Sequence, residues 1–314
     1  MIIRYEPRHE KLWNLIVQDS LNGTFLFNRD YMDYHKDRFQ DHSMIVYSPG
    51  MGRPLAIFPA NQREKAIESH GGLTYGGIIC GRPIGQAEMN RVLAEILTYY
   101  SEQGMGILIY KPVPIIYHKR PAEEDLFSLH RQGAQLFRRD ALTVIDYHHP
   151  PSYTSARIWG LKKSPVIVVE SDKWDEFWKI LEEDLMIRHG RKPVHTVDEI
   201  KMLSRSFPQI RLYMALHEER AVGGCVIYET DTVAHAQYSA QTELGRELHA
   251  VEKTYDSVIQ HYKNKMRYFD FGISTEWDGG HSILNEGLIK FKEEYGGTTA
   301  ICDFYAIDLK GVRL

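Results

Sequence analysis

The spacing of apolar and polar residues changes several times along the chain, and each change predicts an element. RLYMAL (211–216) and VGGCVIYE (222–229) are apolar runs of strand length around the polar turn HEERA, which predicts a β-hairpin. TVAHAQYSAQ (232–241) predicts a third strand. In RELHAVEKTYDSVIQHYKNK (246–265) the period lengthens. Leu248, Val251, Tyr255, Val258, Ile259 and Tyr262 recur at helical spacing and form one apolar stripe. RYFDFGIS follows as a strand, and LNEGLIKFKEEYGG as a helix with Leu284, Leu288, Phe291 and Tyr295 on one face. The paired Gly296 and Gly297 read as its C-terminal cap, and TAICDFYAIDL closes as a strand.

The first half repeats this order. SMIVYSP (43–49) and RPLAIFPAN (53–61) flank a glycine turn, and GGLTYGGIIC supplies the third strand. The helix EMNRVLAEILTYYSEQG (88–104), the strand MGILIYKPV, the helix EEDLFSLHRQGAQLF and the closing strand LTVIDYH complete it. Residues 43–147 and 211–309 thus share the order hairpin, strand, helix, strand, helix, strand over 105 and 99 residues, which predicts an internal duplication. Hairpins require antiparallel pairing and strand–helix–strand units require parallel pairing, so each unit is expected to be a mixed α/β sheet covered by helices. The polar, glycine-containing YTSARIWGLKKSP (153–165) is the expected junction, giving domains 1–152 and 153–314. SDKWDEFWKILEEDLMIRHG (171–190) would open the second unit as a helix capped by Ser171 or Asp172 and stopped by Gly190.

Composition narrows the function classes. The 314 residues are 43% apolar and 25% charged with net charge −4, so no overall basic field advertises nucleic acid or an anionic membrane. LHRQGAQLFRRD (129–140) is basic but reads as a solvated helix face. No apolar run is long enough to span a bilayer, and the charged N-terminus MIIRYEPRHEKLW lacks a signal-peptide core, so a cytoplasmic protein is expected. Cys80, Cys225 and Cys302 are odd in number, far apart and in strand contexts, and read as small core residues. Fifteen histidines occur without CxxC or HExxH spacing, so no metal site is expected.

PVHTVDEIKMLSRSFP (193–208), AHAQYSAQ, FDFGISTEWDGGHSILNEGLIKFKEEYGG and SHGGLTYGG (69–77) carry a resemblance. The second unit resembles an N-acetyltransferase (GNAT) fold, and the tandem resembles the Fem-type and cellulose-biosynthesis-type acyltransferases. The resemblance implies acyl transfer from acyl-CoA, with acetyl-CoA the expected donor, or from aminoacyl-tRNA, to an amine or hydroxyl. It implies that TVAHAQYSAQ splays from YFDFGIS and exposes backbone N–H groups able to stabilise a tetrahedral intermediate. The turn QTELGRELHA would receive the donor's phosphates through Thr242, Gly245 and Arg246, with Asn285 contributing from the next helix. Glu243 and Glu247 depart from that pattern because they repel phosphate.

Alternation on TVAHAQYSAQ puts His235, Gln237 and Ser239 on one face and Ala234, Ala236, Tyr238 and Ala240 on the other. A polar stripe on an interior strand is a satisfied network or a cleft wall, and the second reading makes His235 a general base. Asp270 reads as a structural acceptor, Gly272 as a place of close approach, and Glu276 as a second candidate base. Ser274 and Trp277 follow where the strand opens; they join Gln237 and the glycine-rich His70, Tyr75 and Gly76 as acceptor-binding candidates, with a packing role as the alternative for each. Two rivals stand beside a CoA-dependent acyltransferase of a small or cell-envelope-precursor acceptor. One is an aminoacyl-tRNA-dependent transferase acting on a peptidoglycan precursor, with tRNA disfavoured by the net charge. The other is a degenerate pair that binds a glycan precursor without turnover.

Overall fold

The structure, a computed structural model, describes residues 1–48, 52–69 and 71–311. It divides into two compact units. The first holds Met1–Asp140, Glu276–Ile283 and the chain from Ile301 onward, and the second holds Ala141–Thr275 and Leu284–Ala300. The expected boundary after residue 152 therefore differs from the observed division, because each repeat gives its closing strand to the other unit.

The first unit contains β1 (Ile2–Arg4), α1 (Glu10–Asp19), α2 (Arg29–Met32), β2 (Gln40–Asp41), β3 (Met44–Tyr47), β4 (Pro54–Phe58), β5 (Asn61–Arg63) and β6 (Ala66–Glu68). It continues through β7 (Ile79–Cys80), α3 (Gln86–Glu102), β8 (Ile107–Tyr110), α4 (Glu124–Arg131) and the start of β9 (Gln135–Asp146). Strands β1-β3-β4-β7 form one sheet. β8 runs antiparallel to Tyr305–Asp308 of the last strand and parallel to β6, with β5 and β2 beyond. The core packs Val46, Phe58, Ile78, Leu93, Leu97 and Leu108 beneath α3.

The second unit contains the rest of β9, then α5 (Ser155–Lys163), β10 (Ile167–Ser171), α6 (Trp174–His189), α7 (Val197–Ser206), β11 (Ile210–His217), β12 (Arg220–Glu229) and β13 (Val233–Gln241). After these come α8 (Glu243–Glu247), α9 (Ala250–Tyr262), β14 (Tyr268–Ile273), the hairpin β15 (Thr275–Asp278) and β16 (His281–Leu284), α10 (Glu286–Glu293) and β17 (Thr298–Asp308). The order β10-β11-β12-β13-β14 is completed by Leu142–Asp146 of β9, antiparallel to β14. The stripe expected on 246–265 is buried as predicted at Tyr255, Val258, Ile259 and Tyr262, against Ile227, Ala234 and Phe269.

Four local expectations are corrected. The helix expected from 246 is two helices, because His249 takes a left-handed φ of 56° and separates α8 from α9. The junction 153–165 is helical: Thr154 caps α5 by accepting from the Arg157 N–H at 3.3 Å, and Arg157 is buried over Phe291 and Tyr295 with Glu294 as its ion partner. The basic segment 129–140 is a helix only to Arg131. From Gln135 it is strand, where Arg139 pairs with Asp303 at 2.6 Å. In GGLTYGGIIC only Ile79 and Cys80 are strand, and an unforeseen hairpin, β5–β6, precedes it. Gly190 does end α6, with φ 62°, and the three cysteines are free and buried. Among the described residues no helix is long and apolar enough to cross a membrane, and no group of three or more His, Cys, Asp or Glu side chains is placed to hold a metal ion.

Candidate functional site

The second unit places its polar groups where two parallel strands part. β13 and β14 pair at only three positions, Val233 with Tyr268, Ala234 with Phe269 and His235 with Asp270, although both strands continue. Each strand is irregular just past that point. The register of β13 on β12 shifts so that Val226 faces Tyr238 and Ile227 faces Ala236, which leaves Gln237 as an extra, bulged residue. The register of β14 on β9 shifts between Asp270 and Ile273, and Gly272 has φ +78° there, a conformation that disfavours any side chain.

The bulge overturns the alternation read from the sequence. Before it, Ala234 and Ala236 face the α9 core and His235 faces away, as expected. After it, Ser239 accepts from the Tyr255 hydroxyl of α9 at 3.1 Å, while Tyr238 packs on Trp178 of α6. One inserted residue thus moves Ser239 to the alanine face and Tyr238 to the histidine face. Tyr238 also meets Nδ1 of the buried His195 at 2.6 Å, and burial pushes its hydroxyl up to about 12.

At the fork, Nδ1 of His235 lies 2.9 Å from Oδ2 of Asp270, a carboxylate with no exposed surface. The other oxygen, Oδ1, accepts the Gly272 N–H at 2.7 Å. With the carboxylate as acceptor of this bond, Nδ1 carries the hydrogen and the basic lone pair of the imidazole is on Nε2. This is the arrangement in which a buried acid holds a histidine in the tautomer of a general base. The His235 side chain keeps 11% of its surface exposed. A Cβ built on Gly272 would come within 3.5 Å of its Cε1.

Lys292 is the principal group that sequence reading missed. From α10 its ammonium donates to the carbonyls of Gly272 at 2.9 Å and Ile273 at 2.7 Å, and to Ser274 Oγ at 3.0 Å. Two of these acceptors are backbone carbonyls of the segment that follows the dyad, and the third is a side-chain hydroxyl. Burial pushes Lys292 down to about 8, with the Asp270 charge opposing. The signal was present: Lys292 lies four residues after Leu288 and three before Tyr295, on the stripe expected to be apolar.

The other expected residues fall into distinct groups. Ser274 is fully buried, 2.8 Å from Thr143 Oγ1, so its contacts are internal. Asn285 caps α10 by accepting from the Leu288 N–H at 3.0 Å. In the turn after β13, Thr242 caps α8 by accepting from the Gly245 N–H at 3.0 Å. A Cβ on Gly245 would lie 2.1 Å from the Val222 carbonyl oxygen, so packing alone requires glycine. Arg246 pairs with the buried Asp184, which also holds Arg188. Glu276 is exposed on the β15–β16 hairpin and, with Trp277, is counted in the first unit. Trp277 packs on Phe137 and under the Arg138 guanidinium.

In the first unit, His70 lies outside the described residues. Tyr75 is buried, with its hydroxyl 3.1 Å from Thr24 Oγ1 and its ring against Tyr117. A Cβ on Gly76 would lie 1.8 Å from the Ser69 carbonyl oxygen. Lys111 organises this segment: its N–H donates to Ser69 Oγ at 2.7 Å, its carbonyl accepts from the Gly76 N–H at 2.8 Å, and its ammonium donates to the Leu73 carbonyl at 2.6 Å. Burial pushes this lysine down to about 8 as well.

No protein-family model and no curated protein matches the sequence. Solved structures do match. The fold is similar to that of FemX, with a TM-score of 0.68 at 9% identity over 99% of this chain and 98% of that one. L-PGS from Bacillus licheniformis superposes with a TM-score of 0.59 at 14% identity, over 96% and 91% of the two chains. A tandem GNAT protein from the clavulanic acid biosynthesis pathway gives 0.52 at 11% identity, over 98% of each. The chain therefore has a tandem GNAT fold of mixed α/β units, of the kind expected from its repeated element order.

Proposed function

We propose that the second unit catalyses acyl transfer, moving an acyl group carried as a coenzyme A thioester to an amine or hydroxyl of a small or cell-envelope-precursor acceptor. The parting of β13 from β14 immediately beyond the His235–Asp270 pair carries this reading. A bulged residue at Gln237 leaves backbone outside the ladder, where its amide can meet the oxygen of a thioester carbonyl. The acceptor nitrogen attacks that carbonyl carbon and its proton passes to His235 Nε2, with Asp270 stabilising the imidazolium that forms. Collapse of the tetrahedral adduct breaks the C–S bond, and the departing thiolate takes up a proton. Lys292 keeps the backbone beyond Asp270 in its bulged path. Gln237 is proposed for the acceptor, and Thr242, Gly245, Arg246 and Asn285 for the donor.

The engagement of that donor turn favours a second reading. Thr242 already caps α8, Arg246 is paired with Asp184, and Glu243 and Glu247 flank them. A donor that does not rely on a pyrophosphate there, such as an aminoacyl-tRNA ester, fits this state of the turn better. Calorimetry with acetyl-CoA, coenzyme A and charged tRNA, followed by assays of thiol release or aminoacyl-ester loss over a panel of amines, separates the two. Binding of neither carrier overturns acyl transfer and leaves a binding protein.

A further inference from the structure

A second recess of the second unit takes no part in this chemistry. The end of β10, the first turn of α6, one face of α7 and the start of β11 enclose a cavity of about 410 Å³, at the small end of the range for ligand pockets. It is separate from the fork. Ile210 pairs with Tyr228, which pairs with His235 on its other side, so a buried tyrosine stands between the two. The floor is apolar: Trp174, Ile210 and Leu212 line the cavity and keep at most 7% of their surface exposed. On α7, Lys201, Ser204 and Arg205 at i, i+3 and i+4 share the face turned toward it.

The ionised groups of the wall identify the ligand. Lys201 is engaged by Asp175 at 2.7 Å, and Arg211 by both Glu170 at 2.6 Å and Glu229 at 2.9 Å. Two carboxylates on one guanidinium leave that side one negative charge in excess, which disfavours phosphate or any other simple anion. At the rim, Lys173 and Glu176 cancel one another at 3.8 Å. Two lining charges remain. Asp172 and Arg205 have no ion partner among the described residues and are not paired with each other. Asp172 does not cap α6 either, because the cap position is Lys173 and no side chain accepts there.

A carboxylate and a guanidinium held apart over an apolar floor call for a ligand with an ammonium, a carboxylate and an apolar body. The excess acid of the wall sets the ammonium at Asp172 and leaves the carboxylate to Arg205. A neutral sugar would use the hydroxyls of Ser171 and Ser204 but answer neither charge. We propose that this cavity binds a free α-amino acid with an apolar side chain, which lies over Trp174, Ile210 and Leu212, independently of the acyl-transfer reading. The ligand then rests against an indole, so its binding carries an optical signal as well as heat.

The test is calorimetry of the full chain with L-leucine and L-phenylalanine, accompanied by tryptophan fluorescence. Saturable binding at a single site is expected. N-acetyl-leucine lacks the ammonium and leucinamide lacks the carboxylate, and each should bind about tenfold more weakly or worse than leucine. Glycine, which offers nothing to the floor, should also lose about tenfold. Asp172→Asn and Arg205→Gln should each weaken leucine binding about tenfold at unchanged melting temperature, since neither side chain holds the fold through an ion pair. No saturable binding of either amino acid, equal affinity for the capped analogues, or affinity that survives both substitutions overturns the proposal. So does tighter binding of inorganic phosphate or methyl glucoside than of leucine, because the cavity then takes an anion or a sugar.

Discussion

The two units solve the same structural problem differently. In each, a short strand runs parallel to the central strand over three residue pairs: Ala66–Glu68 along Ile107–Ile109 in the first, and Val233–His235 along Tyr268–Asp270 in the second. By this register Glu68 stands where His235 does, Ile109 where Asp270 does, and Lys111 where Gly272 does. The second unit leaves the pairing through a one-residue bulge and rejoins β12 at once. In the first unit the short strand, paired on its other side with β5, ends at Glu68, and it is β7 that pairs with β4. A lysine secures the backbone in both, but from opposite directions. Lys111 lies on the central strand and reaches out to Leu73, whereas Lys292 comes from a helix and reaches in to Gly272. At matching positions one unit carries an acid–histidine pair and the other carries Glu68 and Ile109, so two forks of the same pairing differ in the chemistry they hold.

The strongest way to break the comparison is kinetic. His235→Gln should lower turnover on an identified acceptor by about 10²–10⁴-fold with donor affinity near wild type. Glu68→Gln, the positional counterpart, should leave turnover within about twofold, since in this comparison no transferring group is assigned to the first unit. Equal losses in the two variants, measured under saturating donor, would show that the fork of the second unit is not special. Glu276→Gln serves as the second arm, because a loss there with full activity in His235→Gln moves the base to the hairpin.

A smaller effect separates the lysines. Lys292→Met strands two carbonyls and removes a buried charge, while Ser274 Oγ keeps Thr143, and should destabilise the protein by about 1–3 kcal/mol in urea unfolding. Lys111→Met strands one carbonyl and removes a buried charge, so about 1 kcal/mol is expected. Gly245→Ala sharpens the contrast between packing and binding roles in the donor turn. Its methyl group meets the Val222 carbonyl, and a loss of about 1–3 kcal/mol is expected whether or not a donor is bound.

A last test is the response to pH. Both lysines are held near 8 in the folded chain against 10.5 for a free side chain. Between those values the unfolded chain binds more protons, so stability should rise with pH from about 8 to 10.5; below 8 the full penalty of burying the ammonium is present. The slope of unfolding free energy against pH should shrink in each methionine variant. An unchanged slope in both variants would assign the titration elsewhere.

Much of this was legible in the chain. Hairpins, the α9 stripe and the closing strands follow from periodicity, because strand and helix bury one face each and the sequence must alternate accordingly. His235, Gly272 and Asp270 stood out as polar or glycine positions on interior strands. What alternation could not supply was the bulge at Gln237, since one inserted residue reverses every face that follows without altering composition. Nor did it supply the two lysines: a buried ammonium is stabilised by carbonyls whose position depends on tertiary structure. Arg157 and Thr154 explain why a polar junction is helical, and Arg157 does so through a residue, Glu294, more than a hundred positions away. The capping roles of Thr242 and Asn285 were readable as one of two options, and the structure supplies the internal partner in each case.

The exchange of closing strands has a consequence in time. Tyr110 of β8 finds its antiparallel partner only in Tyr305, so the first unit waits for nearly the whole chain before its sheet is complete. The second unit, by contrast, receives its β9 segment before its own strands have been made. At a synthesis rate of roughly 5–20 residues per second, the edge of β8 stays open for about 10–40 s on the ribosome after it emerges. The unit translated first is thus the last to close. Truncation anywhere before β17 would leave that edge unpaired for good, and such an edge is a template for association with other chains.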